Sequence, residues 1–265
     1  CDVIEVTPNI DVRKKLVRAG LFKVGDPSWP EHNIIWSAPT RVAVQMGIPL
    51  CVWGEQPQRE YSAPEGVEPA TNLDAAWVAQ FGGLCGLRLA DMVGYEGLTS
   101  RDLEVFRFPS DGALLAAGVK GIWLGDYLDW DGWKNAFIAQ HSGFEFSPHP
   151  VEQSLGNYEN LDNLLTCARD WLRFLKFGYA RATDIASSHI RRGRLTRDEA
   201  LALIAVRERF PQTSLGKPLP EVLAYFGVTM DQFIEQCDRW TNPDIFETKD
   251  GVVSKHEDGT PYLRG

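Results

Sequence analysis

Apolar residues along this chain change rhythm from one stretch to the next. Asp2-Val-Ile-Glu-Val6 alternates like a strand, Val12 to Ala19 and roughly Ile34 to Met46 recur at helical spacing, and Ile48 to Trp53 is strand-like. The continuous apolar run Leu50-Cys-Val-Trp53 ends in Gly54, as expected of a buried parallel strand whose C-terminal edge opens into a loop. Val119 to Leu124 is a second strand candidate ending in Gly-Asp, and Trp133 to His141 reads as the helix after it. Pro64, Pro69, Gly82-Gly83 and Pro109 break residues 58 to 118 into short pieces, which suggests an irregular insertion over the sheet.

From residue 158 onward the pattern turns helical. Leu161, Leu164, Leu165, Ala168, Trp171, Leu172 and Leu175 share one helix face. Thr196-Arg-Asp-Glu199 and Thr229-Met-Asp-Gln232 are capping boxes, and Val228 can staple onto Phe233 across the second. Asp250-Gly251 and Asp258-Gly259 separate short apolar runs and predict hairpin turns. The fold class is therefore α/β: an α/β domain over 1–150 with the insertion at about 58–118, a helical region over 151–242, and a hairpin-like tail over 243–265.

Composition narrows the function. A 265-residue chain with 44% hydrophobic and 24% charged residues is long enough for a sizeable core and has an ordinary globular make-up. No apolar run reaches the roughly 20 residues of a membrane span and no secretion signal is evident, so the expected location is cytoplasmic. The net charge of −9 argues against a general nucleic-acid binder. Cys1, Cys51, Cys85, Cys167 and Cys237 form no C-x-x-C pair and read as buried, reduced thiols.

Ligands of open α/β sheets bind beyond the carboxyl ends of the strands, which draws attention to Gly54-Glu-Gln-Pro57 and to the residues after Leu124. Glu55 and Gln56 are presented there by a loop stiffened by Pro57, or else Glu55 only bonds amides of a tight turn. Asp126, Asp129 and Asp131, beside Tyr127, Trp130 and Trp133, could ligate Mg²⁺ or hydrogen-bond sugar hydroxyls, and one of Asp129 and Asp131 is expected to cap the next helix. Arg181 and Thr183 suit a phosphate or carboxylate, whereas Asp184 could simply pair with Arg181. Arg191, Arg192, Arg194 and Arg197 read as a solvated helix end. The tryptophans read as packing, apart from Trp29, Trp53 and Trp130.

The run Lys176-Phe-Gly-Tyr-Ala-Arg-Ala-Thr-Asp-Ile-Ala-Ser-Ser-His-Ile-Arg-Arg-Gly-Arg-Leu-Thr-Arg-Asp-Glu199 is similar to a segment of the N-acetyl sugar amidotransferases. These enzymes of bacterial surface-polysaccharide assembly belong to the PP-loop ATP pyrophosphatase superfamily. Further anchors of the resemblance are Gly25-Asp-Pro-Ser-Trp-Pro30, Ile48-Pro-Leu-Cys-Val-Trp-Gly-Glu-Gln-Pro57, Trp123-Leu-Gly-Asp-Tyr127 with Trp130-Asp131, and Tyr158-Glu-Asn-Leu-Asp162. The chain departs from that pattern at Ala180, where glycine is usual, and at Ile185, where histidine is usual. The resemblance implies a partial PP-loop (adenine nucleotide alpha-hydrolase-like) parallel sheet with a C-terminal helical region.

The activity it implies is ATP-dependent conversion of a sugar N-acetyl group to an acetamidino group, with ATP and Mg²⁺ as cofactors. Ammonia would come from glutaminase and channel subunits resembling imidazole-glycerol-phosphate synthase. Glu55 and Asp126 carry over as catalytic residues. Trp53, Gly54, Gln56, Tyr127, Trp130, Asp131, Arg181, Thr183 and Asp184 carry over as substrate- or nucleotide-binding ones. The superfamily's Ser-Gly-Gly-x-Asp-Ser loop occurs nowhere in the chain, which therefore reads as the larger C-terminal part of an enzyme, inactive alone. A non-catalytic sugar-nucleotide-binding or docking subunit stays open, and a tRNA-modifying PP-loop enzyme is disfavoured by charge and by the missing cysteine pair.

Overall fold

The computed structural model describes residues 2–54, 56–60 and 73–264. They form a mixed α/β structure that divides into two compact units, Cys1–Gly20 with Ser28–Asp131 and Leu21–Pro27 with Gly132–Gly265.

In the first unit, helix α1 spans Ile10–Val24, of which the part to Gly20 belongs here, and α2 spans Trp29–Met46. Pro30 suits the first turn of α2, where its missing N–H costs nothing, and Gly47 ends the helix in a left-handed conformation (φ +66°). Strand β1 is Leu50–Trp53. Short helices α3 (Pro57–Glu60), α4 (Ala75–Phe81) and α5 (Asp111–Ala117), with three 3₁₀ turns between the last two, lead to strand β2, Lys120–Trp123. The expected irregular insertion is thus a set of short helical pieces in its described part. Asp74 and Ser110 cap α4 and α5 with their side chains.

The two strands pair in parallel, Leu50 opposite Lys120 and Trp53 opposite Trp123. One face of the pair is covered by a cluster of Trp36, Leu73, Trp77, Val78 and Trp123, with Trp53, Phe81, Leu84 and Phe108 packed around it. Trp77 stands 4.7 Å from Trp123 and 5.0 Å from Trp36, ring centre to ring centre. The other face is open: Leu50 and Val52 are about half exposed. That corrects the expectation of a fully buried strand, because continuous apolar sequence does not reveal how many layers cover it. Residues 2–6 form no strand either. Val3 is 90% exposed, and alternation without a neighbouring strand leaves nothing to pair with.

The second unit begins with α6 (Gly132–Gln140) and continues with α7 (Thr166–Phe177), α8 (Arg181–Arg191) and α9 (Arg197–Arg207). A two-residue ladder of β3 (Thr213–Ser214) and β4 (Lys217–Pro218), then α10 (Leu219–Tyr225), α11 (Met230–Trp240), β5 (Thr248–Lys249) and β6 (Val252–Val253) complete it. Helix α7 starts only at Thr166, so Leu161 and Leu164 precede it, whereas Ala168, Trp171, Leu172 and Leu175 join a core with Leu219, Leu223, Val228, Phe233 and Phe246. Both capping boxes form as read, and Val228 and Phe233 are buried in the same cluster. β5 and β6 pair antiparallel across Asp250-Gly251, whose φ of +52° and +78° are the left-handed pair a two-residue hairpin turn requires. Among the described residues no helix is long and apolar enough to cross a membrane.

Candidate functional site

Beyond the strand pair the chain turns tightly enough to bring most of the expected residues of the first unit together. The amide of Gly125, in a 3₁₀ turn that follows β2 directly, donates to the Gly54 carbonyl at 2.9 Å, so the ladder continues one step past both strands. A methyl group on Gly54 would lie 2.6 Å from the Trp130 indole, and one on Gly125 would lie 3.1 Å from the Gln56 amide. Glycine at these two positions is what lets Trp130 and the Gln56 loop close over the strand ends.

Gln56 is buried. Its side-chain oxygen accepts from the Gln58 amide at 3.1 Å, and its carbonyl accepts from the amides of Arg59 and Glu60. Gln58 is buried too and accepts the Trp77 indole N–H at 2.9 Å, which ties this loop to the tryptophan cluster. Asp126 accepts from the Arg59 guanidinium at 2.9 Å. Arg59 is half exposed, and such a pair at a surface contributes little to stability. Tyr127 presents its ring to solvent, Asp131 is buried, and Trp53 lies against Trp36. Trp53, Gly54, Gln56, Asp126 and Trp130 thus gather at one edge. Glu55 lies outside the described residues.

Arg59 and Gln58 escaped the sequence reading; their only signal was position, within one helical turn of the Gly54-Glu-Gln-Pro57 loop. Trp29, expected as part of a site, is fully buried and donates to the Leu84 carbonyl, a packing role. Cys85 is exposed, which corrects the expectation that all thiols are buried, whereas burial pushes the Cys167 thiol up to about 12 and leaves it unreactive. The space beyond β1 is taken up by Trp130, and among the described residues no three His, Cys, Asp or Glu side chains are grouped to hold a metal.

The expected residues of the second unit lie in an internal network of charges. Arg181 is buried and donates through Nε to Asp170, itself 1% exposed, at 3.3 Å; its Nη1 stands 3.8 Å from Glu159. Asp170 also accepts from Arg169, and Glu159 accepts from the Ser154 hydroxyl. Asp184 pairs with Arg173 in a two-pronged bridge, not with Arg181 as the spacing along α8 suggested, because the fold brings this cation of α7 within its reach. Glu208 accepts from the amides of Ala180 and Thr183 at 2.9 and 2.8 Å, filling the N-terminus of α8 from a distant part of the chain. Arg181 meets carboxylates through its side chain and Thr183 meets one through its backbone amide, and those carboxylates belong to this chain.

Burial raises the Glu159 carboxyl against the pull of Arg181, and raises that of Glu208 against its backbone amides. A carboxyl whose folded value lies above the unfolded one, about 4.3, contributes stability that is present in acid and is lost as pH rises through the folded value. Glu159→Gln is therefore expected to flatten this decline: the melting temperature of the variant minus that of the parent should grow from pH 4.5 to pH 7. A difference that shrinks over the range would contradict the assignment.

Residues 152–257, which contain this whole network, match the family model described as LPS biosynthesis protein WbpG-like, C-terminal domain. The match supports a role in lipopolysaccharide biosynthesis. No curated protein matches the chain.

Proposed function

We propose that this chain takes part in converting a sugar acetamido group into an acetamidino group during lipopolysaccharide biosynthesis, as a component of an ATP-dependent amidotransferase. The observation that carries the reading is the match of residues 152–257 to a lipopolysaccharide-biosynthesis domain, joined to the motif resemblance of the first unit. An amide carbonyl is a poor electrophile, so its oxygen must become a leaving group before nitrogen can replace it. ATP with Mg²⁺ belongs to the proposal as the activating reagent, and ammonia would be supplied by a glutaminase partner through a shielded channel.

The part we assign to this chain is placement of the acceptor. Trp130 and Tyr127 offer aromatic faces to a sugar ring, and Asp126 offers a carboxylate held by Arg59 to its hydroxyls; Glu55, the residue after Gly54 in sequence, is proposed to act with them. The absence of a Ser-Gly-Gly-x-Asp-Ser loop from these residues favours a second reading, a non-catalytic subunit that binds a sugar nucleotide.

Calorimetric titration separates the two. Nucleotide-linked acetamido sugars are expected to bind, with affinity reduced about tenfold or more, roughly 1.4 kcal/mol, in Tyr127→Ala and Asp126→Ala. Sugar binding without ATP binding would favour the second reading. Unchanged sugar affinity in both folded variants would remove this edge from either.

A further inference from the structure

Helix α9 carries seven consecutive apolar residues, Ala200-Leu-Ala-Leu-Ile-Ala-Val206, of which only Ala200 is buried. Leu201 is 52% exposed, Leu203 41% and Val206 72%. A helix apolar on every side is normally enclosed, because each exposed aliphatic side chain forgoes the gain of leaving water. Here Ala200 marks the side turned inward, where α9 packs on α8. At 3.6 residues per turn, Leu201, Ala202, Ala205 and Val206 lie together on the opposite side.

The charges bounding this face are arranged by sign. Asp198 stands in the first turn, and Arg209 follows the last turn with its guanidinium folded back, Nε donating to the Ala205 carbonyl at 2.8 Å. A twofold axis crossing the helix between Ala202 and Ala205 would run two copies antiparallel and set Ala202 against Ala205 of the second copy. The same operation sets Leu201 against Val206 and Asp198 against Arg209. Apolar meets apolar, small meets small, and acid meets base, all in one register. A self-complementary patch of this kind is what a twofold dimer requires. The competing pair of Arg209 with Asp258, at 3.4 Å with both side chains nearly half exposed, is weak.

We infer that α9 is a homodimerisation surface, its occupant the α9 of a second copy of this chain packed antiparallel. Two helices of three turns cover less than the roughly 1,200 Å² of a standard interface, so the dimer is a weak one with a dissociation constant on the order of 10–100 µM.

Sedimentation equilibrium of the full 265-residue chain over that concentration range tests the inference. The parent should shift from monomer to dimer. Val206→Arg, at a position open to solvent, should weaken association at least about tenfold. Asp198→Arg and Arg209→Asp should each weaken it, and the double substitution should restore it to within about twofold of the parent, since only a second copy in this register makes the swap compensate. Circular dichroism melting of each variant checks that the monomer stays folded. A parent that remains monomeric throughout overturns the inference, whether or not it adsorbs to phospholipid vesicles, and so does a dimer that these substitutions leave unchanged.

Discussion

Replacing Asp170 by alanine is expected to remove about 3–5 kcal/mol from the stability of the second unit, the range measured when one partner of a buried ion pair is deleted. Asp170 is almost fully enclosed and receives both Arg181 and Arg169. Without it the buried Arg181 loses the acceptor of its Nε, and Glu159 stands 3.8 Å from its Nη1, beyond hydrogen-bonding distance. The penalty comes mainly from removing this carboxylate from a guanidinium in low dielectric, so most of it should vanish when both charges are removed together. Asp170→Leu combined with Arg181→Met is expected to recover most of the loss, because well-packed apolar replacements of buried ion pairs are often neutral. Thermal melting of Asp170→Ala should fall by about 10 °C or more. A loss below about 1 kcal/mol would mean the pair is hydrated and not truly internal.

What was legible in the sequence was what depends on near neighbours. The capping boxes at Thr196 and Thr229, the Asp250-Gly251 turn and the parallel strands ending at Trp53 and Trp123 each follow from residues a few positions apart. The adjacency of Gly54 and Gly125 followed from two strands of one pattern. What failed required knowledge of distant partners. Arg173 and not Arg181 meets Asp184 because the tertiary fold brings that side chain of α7 to α8, and Glu208 reaches the start of α8 across an intervening helix. Alternation at residues 2–6 describes a strand only if another strand is beside it. The pairing of Arg59 with Asp126 is likewise a tertiary fact, and nothing in the sequence distinguishes this arginine from any other exposed one.

Trp123 provides the corresponding test in the first unit, where the strand ends depend on the tryptophan cluster. Its side chain is fully buried at the end of β2, next to the 3₁₀ turn that carries Asp126, and packs on Trp77, which in turn holds Gln58. Trp123→Ala opens a large cavity and is expected to cost about 3–5 kcal/mol. Trp123→Phe should behave differently. The Trp123 indole N–H has no hydrogen-bond partner among the described residues, and an unpaired buried donor carries a penalty of about 1–3 kcal/mol that phenylalanine removes while keeping most of the ring volume. The two effects of the smaller ring oppose each other, so Trp123→Phe is expected within about 1 kcal/mol of the parent by chemical denaturation. If both variants lose stability equally, the indole N–H is paired in solution and the edge built from Gln56, Asp126 and Trp130 rests on a polar contact instead of on ring packing.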